Sequence, residues 1–151
     1  MTAVDRGSVE HALITMRKTV GHLDSFGPVD RARLDSHPAI GLVVERNLAL
    51  LADLAFAINS QVAAAVLGEA PETPAISFGA AERAGLIDAD LACDLAPADG
   101  QHHVLMQLCL DTEPDEVAAV VSAALSGYEE YVRQVTRWTA HGPPDQVTDL
   151  H

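Results

Sequence analysis

The sequence is short of cations and of sulfur. One Lys and eight Arg stand against 22 acidic residues, a net charge of −13. Affinity for phosphate polymers comes mainly from Lys and Arg displacing counterions, so binding through a general basic surface is excluded. Any RNA contact has to be local and well placed, and DNA is not an expected partner. The two cysteines, Cys93 and Cys109, have no C-x-x-C spacing, which removes dithiol redox chemistry and zinc-type arrays. Residues Met1 to Arg6 lack the apolar run of a secretory signal. No glycine loop cradles a phosphate, no G-x-S-x-G turn presents a nucleophile, and nothing alternates apolar with polar long enough for a sheet. The expectation is a reduced, cytoplasmic chain without cofactor, metal or membrane partner. At 48% hydrophobic and 21% charged over 151 residues, it is apolar enough to fold as one domain.

What is present is helical periodicity. Val9, Leu13, Met16, Val20 and Leu23 step by four and three, a heptad seam that predicts a helix capped by Ser8. A second helix is expected to start at Ser36 to Pro38 and stop at Gly68. Ile40, Val44, Leu48, Leu51, Ala55, Ile58, Val62 and Val66 form its main stripe, and Leu42, Leu50, Leu54 and Phe56 widen the apolar surface beyond one face. Such a helix needs cover on more than one side. Glu45, Arg46, Asp53, Asn59 and Gln61 argue against a transmembrane span, and Glu45, Arg46, Asn59 and Gln61 are expected to pair across helices or across a dimer seam.

Beyond a loop at Glu69 to Ala75, Ser77 is expected to cap a short helix over Phe78 to Ala84, closed by Gly85. Asp88 caps a segment through Leu95, Pro97 interrupts it, and Asp99 caps a fresh start. The stretch Gly100 to Leu110 is apolar nearly all round after His103. The last helix opens on Thr112 and Asp115, spaced as a capping box, with Pro114 in its first turn. Its apolar face is Val117, Val121, Leu125, Tyr128, Val132, Val135 and Trp138, and Gly142-Pro143-Pro144 ends it. The pattern predicts an all-α bundle of about five helices around one long central helix, spanning residues 1–141, with a flexible tail over 142–151.

Few constellations carry chemistry. His102, Met106 and Cys109 share one helical stripe and would make a soft-metal set, but no second face of convergent ligands is visible, so they read as packing. His102 and His103 point about 100° apart on a helix, too divergent for both to reach one substrate atom within a subunit. At a twofold axis a His from each subunit would supply an acid and a base near neutral pH; otherwise the pair is polar surface beside Asp99 and Gly100. Asp88, Asp90, Asp94, Glu113, Asp115 and Glu116 sit mostly at helix N-termini, where the macrodipole favours them.

The order of these pieces resembles a known family. An N-terminal amphipathic helix, Val44-Glu45-Arg46-Asn47-Leu48 opening the long helix, Ser77-Phe78 leading to Ala84-Gly85-Leu86-Ile87, the stretch Gly100 to Asp111, and Thr112-Glu113-Pro114-Asp115-Glu116-Val117 leading the last helix are similar to the HepT-like branch of the HEPN superfamily. The likeness covers about residues 8 to 138. It implies an all-α homodimer whose members act as toxin ribonucleases, often beside a nucleotidyltransferase antitoxin of the MNT type.

The family's cleavage motif is an arginine, four residues, a histidine and, two residues later, a tyrosine that the antitoxin can modify with AMP. Aligned on Gly100 and Leu105, the arginine position is His102, the next polar position His103, the histidine position Gln107 and the tyrosine position Cys109. All three signature residues are replaced. An arginine is permanently charged and grips phosphate with a fork, whereas an imidazole is mostly neutral at pH 7. Gln107 has no titratable proton, and loss of a general acid/base typically removes about 10² to 10⁴ in rate. The resulting expectation is a catalytically impaired or inactive homodimeric binding protein of a toxin–antitoxin type pair. The alternative is an active ribonuclease whose site is rebuilt from His102 and His103 at the dimer interface.

Overall fold

The computed structural model describes residues 4–27, 31–95 and 114–141. Six helical segments occupy them: α1 (Arg6–Asp24), α2 (Arg31–Ser36), α3 (Pro38–Leu67), α4 (Pro74–Arg83), α5 (Ala89–Leu95) and α6 (Pro114–His141). There is no strand among the described residues. The protein is an all-α bundle, as the periodicity predicts.

Helix α1 buries the heptad seam read from the sequence, with Val9, Leu13, Met16, Val20 and Leu23 in the core. Its cap is Asp5 and not Ser8: the Asp5 carboxylate accepts from the Ser8 N–H, leaving Ser8 inside the first turn. The Asp5 N–H in turn donates to the Gln61 side-chain oxygen at 2.9 Å, pinning the start of α1 to the far end of α3.

Helix α3 runs 30 residues, Pro38 in its first turn and Gly68 in the left-handed conformation (φ 81°) closing it, a rod of about 45 Å. Val44, Leu48, Leu51, Ala55, Ile58 and Val62 are buried, taken up chiefly by α1 and α4. Its length and composition alone would allow α3 to cross a membrane, but this stripe belongs to the bundle core. The opposite side is open: Leu42 is 65% exposed and Leu50 39%. Among the described residues, the cover expected on more than one side is therefore missing.

The short helix after the loop starts earlier than the sequence suggests. Thr73 caps α4 by accepting from the Ile76 N–H, and Ser77 is buried inside the helix. Ser77 reads as a cap because Ser is favoured there, but it serves the core instead. Asp88 does cap α5, accepting from the Leu91 N–H at 2.8 Å. Helix α6 ends at His141, ahead of Gly142. Segment α2, unforeseen in the sequence, packs on α3 and α6, and the Arg33 guanidinium donates to the Phe26 carbonyl across the preceding turn. The Thr112 capping box, the break at Pro97, the cap at Asp99 and the tail over 142–151 lie outside the described residues.

Candidate functional site

The residues expected to carry chemistry, His102, His103 and Gln107, lie outside the described residues, as do Met106 and Cys109. The helices that bracket their segment are well placed. Helix α5 ends at Leu95, and Leu95 packs against α6 at Gly127, where a Cβ would stand 2.8 Å from the Leu95 Cδ2. At its other end, α5 is held by Gln134 of α6. The Gln134 carboxamide oxygen accepts from the Asp88 N–H at 2.8 Å, and its nitrogen donates to the Asp88 carboxylate at 2.9 Å. Two attachments, with Asp88 near Gln134 and Leu95 near Gly127, set α5 antiparallel to α6. The chain thus leaves α5 at a fixed point and returns at Pro114, the start of α6.

Between α5 and α6 opens a cleft of about 620 Å³. Asp88, Asp90 and Asp94 line one wall, Glu129 and Glu130 the other, with Arg133 and Gln134 at one end. The one cation there is already engaged, since Arg133 pairs with Glu130 at 2.7 Å. A cleft of this sign repels phosphate. Glu130 also accepts from Gln134. Among the described residues no cluster of three or more His, Cys, Asp or Glu side chains is arranged to hold a metal ion. His11, His22, His37 and His141 are all exposed.

The core holds a buried polar chain. The Tyr131 hydroxyl of α6 donates to the Asn59 side-chain oxygen of α3 at 2.6 Å, and the Asn59 nitrogen donates to the Ser77 hydroxyl of α4 at 3.0 Å. The Ser77 hydroxyl in turn donates to the Pro74 carbonyl at 2.6 Å. The Tyr131 ring meets Phe78 edge to face, 6.2 Å between centroids. Burial pushes the Tyr131 phenol well above its ordinary range, and the neighbouring Tyr128 adds to the effect. It therefore stays protonated and donates; it cannot relay a proton near neutrality. Asn59 thus finds its partners across helices, as expected of a buried amide, and so does Gln61. Arg46 is exposed and has no partner among the described residues.

Sequence reading missed Tyr131, Gly127 and Gln134. Tyr131 was legible, because Val121, Ala124, Tyr128, Tyr131, Val135 and Trp138 step by three and four and all are buried. Gln134 and Gly127 carry no local signal, since each acts only against α5.

The sequence matches no protein-family model. It is similar to a curated protein named tRNA nuclease HepT from Aphanizomenon flos-aquae (strain 2012/KM1/D3), 25% identical over 138 residues, which cover 91% of this chain and 94% of that protein.

Proposed function

Proceeding from a chain that is a relative of the HepT-like HEPN ribonucleases, we propose that it keeps the family's dimeric bundle while its own contribution is binding, not RNA cleavage. What supports this reading is that His102, Gln107 and Cys109 stand where the resemblance puts the motif arginine, histidine and tyrosine. Scission of a phosphodiester needs charge on the phosphate and a proton carrier beside it. His102 supplies the first weakly and Gln107 supplies none of the second. The acidic lining of the α5–α6 cleft, next to the point where the chain enters this segment, adds to the unfavourable field. The one-domain reading over residues 1–141, the cytoplasmic setting and a nucleotidyltransferase antitoxin as partner belong to the same proposal.

The test is degradation of a purified tRNA pool by the full chain, beside a variant carrying His102→Ala and His103→Ala. Equal background in both is the expected result. Rapid cleavage by the wild type, abolished in the double variant or on altering Gln107, would overturn the binding reading and establish a rebuilt His102/His103 site.

A further inference from the structure

The outward side of α3 places residues of complementary size and charge at mirrored positions. About the point between Ala49 and Leu50, Leu42 mirrors Ala57 and Arg46 mirrors Asp53. At 100° per residue these six positions fall on the side opposite the buried stripe of Val44, Leu51, Ala55 and Val62. Leu42, Arg46, Leu50, Asp53 and Ala57 are exposed and Ala49 is half-buried. Among the described residues neither Arg46 nor Asp53 has a hydrogen bond or an ion pair.

We propose that this face is a seam between two copies of the chain, their α3 helices antiparallel about a twofold axis between Ala49 and Leu50. The inference rests on the homodimer of the preceding section and adds its surface and register. A twofold interface must be complementary to itself, each residue i meeting j while j meets i. The mirrored spacing supplies that: Arg46 faces the partner's Asp53, Asp53 faces the partner's Arg46, and Leu42 lies over the partner's Ala57. The small Ala49 and Ala57 let the helices approach, and the leucines fill the space beside them. A parallel pairing would set Arg46 against the partner's Arg46 and Asp53 against the partner's Asp53, like charges in both places. A different protein as occupant would not require the mirrored order. A lipid occupant would strip water from two unpaired charges in the middle of the face.

The experiment is analytical ultracentrifugation of the full-length chain at micromolar concentrations, with Arg46→Asp, Asp53→Arg and the two combined. All changed side chains are exposed, and circular dichroism checks that the bundle persists. Each single change turns both attractive pairs into repulsive ones, so each weakens the dimer about tenfold or more. Mixing the two single variants, or combining the changes in one chain, restores association because acid again meets base. A wild-type dimer that ignores both single changes would overturn this surface while leaving the homodimer intact. A dimer weakened by both but restored by neither mixing nor combination would overturn the antiparallel register. A monomeric wild type would sink the homodimer and this seam together.

Discussion

The Tyr131 phenol donates to Asn59, and both side chains are fully buried. Tyr131→Phe keeps the ring against Phe78 but leaves the Asn59 oxygen without its donor, a cost of about 1–3 kcal/mol by urea unfolding at neutral pH. The same residue gives the fold an alkaline limit. Its folded pKa is raised by burial, so the neutral form is favoured in the native state. Its stabilising contribution is complete below pH ~10, the ordinary tyrosine value, and is lost as pH rises beyond it, because the unfolded chain ionises first. Unfolding followed from pH 9 to 11 should show a decline approaching about 1.4 kcal/mol per pH unit from this residue, absent in Tyr131→Phe. Gly127 is fixed by a neighbour, not by its own backbone. An alanine there gains about 1 kcal/mol of helix propensity but drives a methyl into Leu95. Gly127→Ala and Leu95→Ala together should therefore be more stable than the sum of the single changes by about 1 kcal/mol or more, measured as a double-mutant cycle.

Helix α5 has seven residues, far too few to hold its shape alone. It persists because Asp88 caps it and because Gln134 grips that cap from α6. Gln134→Leu removes both tertiary hydrogen bonds and leaves the cap itself. Hydrogen exchange should then quicken by about tenfold over Ala89–Leu95 while α1 and α3 keep their protection. If α3 loosened equally, α5 would be part of the global unit and not a separately held element. Helix α3 is the reverse case. Its pattern, proline start and glycine stop gave its two ends from sequence almost to the residue. Local signals were misread where two good caps lay close together: Asp5 and Thr73 won over Ser8 and Ser77. A cap is chosen by where the packed apolar face must begin, and that is set by the neighbouring helices.

The molecule as a whole is an acid of sequence pI about 4.6. Folding does not soften this where α5 meets α6, since five carboxylates line the cleft and the single arginine there is spent on Glu130. A tRNA pool should therefore give no mobility shift with the protein at about 0.15 M salt, and lowering the salt should bring at most weak, unsaturated retardation. Tight binding at physiological salt would overturn this charge argument, since residues 96–113 hold His102 and His103 but no Lys or Arg.

The order of residues alone determined an all-α bundle, its seams on α1 and α6, and the limits of α3, because helical periodicity and proline or glycine punctuation act within a few residues along the chain. It also determined what His102, Gln107 and Cys109 can offer chemically, since the chemistry of a side chain does not depend on where it folds. Tertiary structure decided which polar groups are paired and which are not. Asn59, Ser77 and Tyr131 come from three helices and meet only in the packed core, whereas Arg46 and Asp53 share a helix and are left exposed on the single chain. Burial is a property of what lies opposite a residue, and no local pattern contains that information.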